Sequence, residues 1–277
     1  MARLLLTPLI CALLAALPAA AQVQLPKHHI IQNIAGIYEE LNAEASYVTA
    51  NGAPVCQSTR FISPEDEVIS EYSNLRQIAL VRHGEPELTK TGKFSYDEAS
   101  QFLVNYDSVG IVVPDEPFFN VGDTAEVAIF SSPINRARTT AEYLFGTENE
   151  LVYSPDFREF ETTIGKFSPR LRLPIKLWTA FARVKWMLGV DRNGIESFAD
   201  ARERARKAAL QLAEASEEKP KVVLVAHGFL NRYVKQNLED MGWRVVRDGG
   251  NGYLATTILV KIDDEVKEEN QLTSSIN

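Results

Sequence analysis

Cysteine is nearly absent from this chain: 277 residues carry two, Cys11 and Cys56. Cys11 lies in the one long apolar run, residues 4–17, which follows Arg3 and leads to Ala19-Ala20-Ala21 ahead of Gln22. A basic start, a short apolar stretch and small residues at a cleavage point are the pattern of a secretory signal peptide over residues 1–21. Pro8 and Pro18 interrupt the run, which falls short of the roughly 18–20 residues a membrane-spanning helix needs. Cleavage would leave Cys56 as the single thiol, so an internal disulfide is excluded and the folded chain must be held by its core. Cys56 is then either buried or a site of intermolecular pairing. No Asn-x-Ser/Thr acceptor occurs, which favours a bacterial envelope over a eukaryotic secretory route. The expected location is periplasmic or secreted.

Positive charge is also short. Lys and Arg total 29 against 37 Asp and Glu, for a net charge of −8. That balance argues against nucleic acid as a partner, and an anionic small molecule must be held by a local positive cluster working against the global field. Histidine occurs only at positions 28, 29, 83 and 227. The rest of the composition, 45% apolar and 24% charged, suits one large core, so one catalytic-size domain with appendages is expected.

Residues 22–75 read as an N-terminal extension packing on the main domain. Ile30, Ile34, Ile37, Tyr38, Leu41 and Ala45 recur at helical spacing. Asn51-Gly52 between Tyr47-Val48-Thr49 and Val55-Cys56 predicts a hairpin, with Pro54 confining its strand to an edge. Ser63-Pro64-Glu65-Asp66 has the form of a helix start: a capping serine, then proline, then acids near the positive end of the dipole.

From residue 76 to residue 263, short apolar runs alternate with helical stretches. Ile78-Ala79-Leu80-Val81, Val127-Ala128-Ile129-Phe130 and Val222-Val223-Leu224-Val225-Ala226 are too short for helices and apolar on both faces, as strands of a buried parallel sheet are. One predicted helix runs from Pro133 to Phe145, capped by Ser132. A second runs from Ser197 to Leu212, with Ala201, Ala205, Ala208 and Leu212 on its stripe, and a third from Phe229 to Met241, stopping at Gly242. The alternation predicts an α/β domain, a three-layer sandwich whose mostly parallel central sheet is covered by helices on both faces. Residues 264–277 are polar and charged and read as a loose tail.

Ligands of such sheets bind outside the carboxyl ends of the strands. Each apolar run delivers a distinctive group there: Arg82-His83, then Ser131 to Arg136, then His227-Gly228. A lone histidine at a strand end is most simply a core residue. Two histidines and two arginines on three strand ends make a converging positive site suited to a phosphate dianion. Arginine forks match phosphate oxygens, and glycine lets backbone and ligand approach closely.

Arg82-His83-Gly84-Glu85, Ser131-Ser132-Pro133-Ile134-Asn135-Arg136-Ala137-Arg138-Thr139-Thr140-Ala141 and Ala226-His227-Gly228 resemble the three signature motifs of the histidine phosphatase superfamily, the phosphoglycerate-mutase-like phosphatases. Gly194-Ile195-Glu196-Ser197-Phe198 is similar to a fourth, softer feature, and the resemblance covers residues 76–261 in the family's order. It implies catalysis through a phosphohistidine. His83 attacks phosphorus in line with the leaving oxygen, while Arg82, Arg136 and His227 hold the equatorial oxygens. It implies neither metal nor cofactor, and no His/Asp/Glu group here has zinc-like spacing.

The leaving alkoxide also needs a proton. In the family's phytase and acid-phosphatase branch, an aspartate directly after the second histidine supplies it; here that position is Gly228, and Glu85-Pro86-Glu87 stands where that branch has Arg-x-Pro. The resemblance is therefore to the other branch, where a glutamate from a loop after the third strand is the acid. Within Phe157-Arg158-Glu159-Phe160-Glu161, Glu159 fits the family's Arg-Glu pattern better than Glu161, and Gly165-Lys166-Phe167 matches the following glycine-aromatic pattern only in outline. Arg138, two positions from Arg136, points elsewhere on its helix and reads as a surface residue. Glu85 either tunes the site or is a solvated loop acid.

The segment at about residues 166–190 would sit over the site in this family. Leu177, Phe181, Val184 and Leu188 form one narrow helical stripe, read as core, and Trp178 and Trp186 fall off it. An ordinary helix with partly packed tryptophans is the simplest reading. The sharper one is a cap offering Lys176, Trp178 and Trp186 to a phosphorylated substrate, or to a membrane surface if the substrate is a lipid-linked phosphate. The expected function is that of an exported phosphomonoesterase acting on a phosphorylated small molecule. The alternatives are a non-catalytic phospho-ligand-binding or structural protein with the same fold, and a phosphomutase, whose glycolytic substrates belong in the cytoplasm.

Overall fold

The apolar runs become the middle of one sheet. In the computed structural model, which describes residues 25–262 apart from 45–46, 51–52, 57–58, 67–74, 115–117, 162, 165–170 and 191–195, the chain begins with α1 (Leu25–Glu44) and the hairpin β1 (Tyr47–Ala50) and β2 (Ala53–Cys56). There follow β3 (Thr59–Arg60), β4 (Leu75–Arg82), α2 (Tyr96–Ser108), β5 (Phe119–Asn120), β6 (Val127–Ser131), α3 (Asn135–Phe145) and β7 (Leu151–Tyr153). The last part comprises α4 (Ile175–Met187), α5 (Phe198–Glu218), β8 (Lys221–Ala226), α6 (Gly228–Asp240), β9 (Arg244–Arg247) and β10 (Thr256–Ile262). The expected signal peptide and polar tail lie outside the described residues.

Six strands form the central sheet in the order β7-β6-β8-β4-β10-β9. β7, β6, β8 and β4 are parallel, and β10 runs antiparallel to both of its neighbours. Side chains alternate across a strand, so each run splits between two cores. On β4, Ala79 and Val81 face a cluster that includes Ile34 and Tyr38 of α1 and Ala141 and Phe145 of α3. Ile78 and Leu80 face the opposite cluster, against Ala205 and Leu212 of α5 and Leu230 and Val234 of α6. Both faces are thus covered, which is why these strands read as continuous apolar runs; each buried Ile, Leu or Val contributes about 1.5–3 kcal/mol.

Local signals explain most element ends. α2 and α5 each start with a capping box, Ser95 with Glu98 and Ser197 with Asp200. Gly242, at φ +89°, takes the chain out of α6 in the left-handed region that glycine adopts without strain. The two strands flanking Asn51-Gly52 pair antiparallel, Pro54 opposite Thr49 in a two-stranded sheet that consists only of edges, and Asn51-Gly52 themselves lie outside the described residues. The side chain of Cys56 is outside the described residues. Ser63-Pro64-Glu65-Asp66 gives one 3-10 turn over Pro64–Asp66, closed by the Ser63 N–H donating to Asp66 Oδ2 at 2.7 Å.

One expectation fails at α3. The helix starts at Asn135, not Pro133, and its N-cap is Ile134 without a side-chain cap. Ser132, the expected cap, holds the turn ahead of the helix by accepting the Ile134 N–H at 3.3 Å, while the same hydroxyl bonds His227. The site takes the hydroxyl that the helix would have used.

Candidate active site

Parallel registry brings the three strand ends to one level. Arg82 pairs with Ala226, and Ser131 with Val225, so the residues that follow emerge side by side at the carboxyl edge. His83 is the first residue past β4; its backbone N–H donates to the Ala226 carbonyl at 2.9 Å, and its side chain is buried. A carbonyl can only accept, so the 2.7 Å contact between His83 Nδ1 and the Gly84 oxygen puts the ring proton on Nδ1. Nε2 is left as a bare lone pair. Arg136 Nε donates to it at 3.2 Å.

Arg136 is buried at the start of α3 and is held from behind. Its Nη1 donates to the Tyr106 carbonyl at 2.9 Å and to Asp107 Oδ1 at 2.6 Å, and its guanidinium lies 4.4 Å from the centre of the Tyr106 ring. Thr140, one turn along α3, accepts the Gly84 N–H at 2.9 Å and donates to the Arg136 carbonyl. That hydroxyl therefore ties the arginine helix to the histidine turn. A side chain at Gly84 would meet Ile111 at 2.9 Å, so the turn is close-packed on its outer side as well.

His227, also buried, sits at the N-cap of α6 with its ring centre 5.1 Å from that of His83. Its Nε2 lies 2.8 Å from Ser132 Oγ. The same oxygen accepts the Ile134 N–H at 3.3 Å, so Ser132 ties the imidazole to the turn ahead of α3. Nδ1 is buried and has no hydrogen-bond partner among the described residues. Burial first, then the Arg136 guanidinium, pushes both imidazoles well below their ordinary value of 6.5. A neutral His83 is the form a nucleophile needs.

Above this floor lies a roof assembled from two loops and the end of a helix. Tyr106 at the end of α2 and Tyr253 ahead of β10 place their rings 6.3 and 5.6 Å from that of His83. Lys90 spans them, its Nζ 4.9 Å from the Tyr106 ring centre and 4.4 Å from that of Tyr253, whose hydroxyl it hydrogen-bonds. Burial lowers the Lys90 ammonium from its ordinary value and raises the Tyr106 phenol to about 12. Tyr253 is followed by Leu254, the one non-glycine residue at positive φ (61°) among the described residues, and the Leu254 N–H donates to the His83 carbonyl at 3.3 Å. Such a conformation costs on the order of 1–3 kcal/mol and persists where the surroundings fix it, as they do beside this ring.

Comparison with known families agrees with this geometry. The model of the histidine phosphatase superfamily (branch 1) matches residues 120–272, more than half of the chain. The chain belongs to the histidine phosphatase superfamily. The matched span holds Arg136, Glu159 and His227; the Arg-His-Gly stretch lies ahead of it and joins the site through the place of β4 between β8 and β10. No curated protein matches the chain. Among solved structures, a mycobacterial glucosyl-3-phosphoglycerate phosphatase is 21% identical, with 68% of this chain and 97% of that one covered at a TM-score of 0.39. A phosphoserine phosphatase from Entamoeba histolytica, in complex with 3-phosphoglyceric acid, is 18% identical, with 69% and 98% covered at 0.40.

Within this superfamily member the anticipated residues separate into two groups. His83, Arg136 and His227 converge as the motifs imply. Arg82 flanks them: its Nη1 bonds the Asn251 carbonyl, and its guanidinium stacks 4.4 Å from the Tyr253 ring centre. Gly228 makes room for it, since a side chain there would meet Arg82 Cδ and Nε at 3.3 Å. The aspartate of the other branch would press on this arginine. Glu159 reaches the start of α6, where its Oε1 accepts the Leu230 N–H at 3.2 Å as well as the Phe160 N–H at 3.0 Å, one turn from His227. Glu161 instead pairs with Arg158 at 3.5 Å, and Arg138 pairs with Glu142 on the surface. Gly165-Lys166-Phe167 lies outside the described residues.

The cap residues require a correction. Trp178 and Trp186 are 2% and 3% exposed, and their indole N–H groups donate to the Phe94 and Glu196 carbonyls at 2.9 and 2.7 Å. Neither is presented to a ligand. The stripe read as core, Leu177, Phe181, Val184 and Leu188, is exposed by 54%, 53%, 54% and 72%. Helical spacing finds two apolar faces but cannot say which one a neighbour covers; the larger rings, with an N–H to satisfy, take the inner face. Lys176 is exposed on the outer side of α4.

Sequence reasoning missed Lys90, Tyr106, Tyr253 and Arg204, and gave Ser132 the task of a helix cap in place of its contact with His227. Arg204, buried on α5, donates to the Asp156 and Arg158 carbonyls at 2.9 and 2.8 Å and to Glu196 Oε2 at 3.0 Å, fixing the loop that carries Glu159. Glu196 belongs to the softer fourth motif, so that signal was present. No spacing marks the two tyrosines and the lysine, which meet only through the fold.

Proposed function

We propose that the protein is an exported phosphomonoesterase that hydrolyses a phosphorylated small molecule through a phosphohistidine on His83. The observation that carries this reading is the state of His83: Nδ1–H anchored on the Gly84 carbonyl, Nε2 unprotonated and facing the Arg136 guanidinium. A phosphate oxygen arriving between the two exchanges the histidine–arginine contact for an arginine–phosphate one and leaves Nε2 beside phosphorus. His83 then attacks in line, the P–O bond to the leaving alcohol breaks, and the alkoxide takes a proton from Glu159. In the second half Glu159 takes a proton from water as its oxygen attacks phosphorus, the P–Nε2 bond breaks, and phosphate leaves with His83 neutral again and Glu159 reprotonated. Arg82, Arg136 and His227, whose buried Nδ1 has no partner among the described residues, hold the equatorial oxygens, with Lys90 adding charge from above. These side-chain cations stand where a metal would otherwise be needed, which supports a metal-independent reaction. The basic, apolar start of the sequence supports export to the periplasm or beyond the cell.

The test is phosphate release from a panel of phosphomonoesters, with EDTA present, by wild type and His83→Ala. Release by wild type alone, with acid-labile and base-stable labelling of the protein, is the expected outcome. Equal release from both proteins would overturn the nucleophile. A wild type that binds orthophosphate but hydrolyses nothing would favour the non-catalytic binding reading, which draws on the use of Glu159 Oε1 as a helix cap.

A further inference from the structure

The outer face of α4 has no partner among the described residues. Leu177, Phe181, Val184 and Leu188 run along it, continued by Leu171 before the helix and Val190 after it, each with about half or more of its surface in water. A contiguous row of this kind on a folded protein marks a place where something apolar binds. Charge indicates what. Residues 171–190 contain Arg172, Lys176, Arg183 and Lys185 and no acid, in a chain whose net charge is −8. Arg183 stacks inward on Phe229 at 4.3 Å and Arg172 pairs with Glu98 at 2.9 Å; Lys176 is exposed beside the apolar row, and the Lys185 ammonium lies 5.9 Å from the Phe181 ring centre. An apolar stripe edged by lysines matches an anionic lipid surface, with the side chains of the stripe among the acyl chains and the ammonium groups among the headgroups. A second copy of this face would set the same lysines against each other.

We propose that α4 docks the protein, side-on, to an anionic lipid surface. The helix spans 13 residues, and no helix among the described residues is long and apolar enough to cross a membrane, so the contact is peripheral. Docking also orients the catalytic end. The inner face of α4 packs through Ile175, Trp178 and Ala182 on Ala99 and Phe102 of α2, and the last turn of α2 carries Tyr106, part of the roof over His83. The roof thus lies one packed layer from the lipid-facing side, where amphiphilic phosphomonoesters would be concentrated. The docking rests on α4 and is independent of the phosphatase chemistry.

Co-sedimentation of the mature chain, beginning at Gln22, with vesicles of phosphatidylcholine, alone or mixed with phosphatidylglycerol, tests it. Wild type is expected to bind the anionic vesicles at least about tenfold more tightly than the neutral ones, and less tightly as salt rises. Phe181→Asp/Leu188→Asp, at exposed positions, should abolish the difference, and Lys176→Gln/Lys185→Gln should reduce it roughly tenfold or more. Both variants should keep the far-UV spectrum and thermal midpoint of wild type. Equal binding of the aspartate variant and wild type overturns the proposal. So does a wild type that ignores anionic vesicles, or one whose self-association, rather than vesicle binding, is lost in that variant. Because the readout is binding, an inactive protein would leave this result intact.

Discussion

The floor and the roof of the site are made differently. The floor stands on three adjacent parallel strands whose ends are fixed by sheet register, and its side chains lock one another: Gly84 on Thr140, Arg136 on His83, His227 on Ser132. The roof consists of Lys90, Tyr106 and Tyr253, which come from a loop, a helix end and a second loop and meet through ring contacts and a lysine–tyrosine hydrogen bond. The floor has nowhere else to go, whereas the roof must part for a phosphate to reach a buried histidine. Chemistry is therefore expected to depend steeply on the floor, and access and affinity on the roof.

Among variants that keep the nucleophile, the largest effect should come from Arg136. Arg136→Lys keeps a positive charge but loses the planar fork that serves His83, Tyr106 and Asp107 together, so kcat should fall by about 10²–10³ while folding is retained. Steady-state kinetics on the best substrate of the panel checks this. A loss confined to KM would move Arg136 from the reacting centre to a binding role and erase the contrast between floor and roof.

Lys90→Met should act more weakly and on a different parameter. With the ammonium gone, Tyr106 and Tyr253 lose the cation that bridges them and the phosphate loses one distant charge. We expect kcat/KM to fall about tenfold, an effect of ~1.4 kcal/mol carried mainly by KM, with Lys90→Arg restoring most of it. If kcat drops as far as it does in Arg136→Lys, Lys90 is part of the floor in all but position.

The same division governs what the sequence disclosed. His83, Arg136 and His227 were legible because strand ends and helix starts impose fixed spacings on the residues that use them, and a motif is such a spacing. The alternation of apolar runs and helical stripes likewise exposed the layered sheet. Lys90, Tyr106 and Tyr253 stand 7, 23 and 170 positions from His83 and share no period with it. Their meeting depends on how loops close, which local pattern does not encode. Ser132 was seen but given the wrong task, since both a helix start and a buried imidazole want a hydroxyl and sequence does not rank them. On α4 the period was found and its direction inverted, because amphipathicity of an apolar helix with two large indoles has two solutions until its neighbour is known.

The smallest effect reaches both floor histidines through stability. In the folded chain His83 and His227 are held neutral by burial and by Arg136, well below 6.5, whereas in the unfolded chain they take up protons near that value. Between 6.5 and the lower folded values the unfolded state binds more protons, so stability falls as pH falls, approaching about 1.4 kcal/mol per pH unit for each histidine. His227→Asn removes one of the two sites and leaves every acidic residue in place. Urea midpoints taken from about pH 7 to about pH 5 should therefore fall less steeply for this variant than for wild type, although it starts lower through the lost Ser132 contact. Parallel curves would mean that His227 takes up its proton in the folded state, and the imidazole beside the nucleophile would then be a second fixed cation of the floor, not a neutral donor to phosphate.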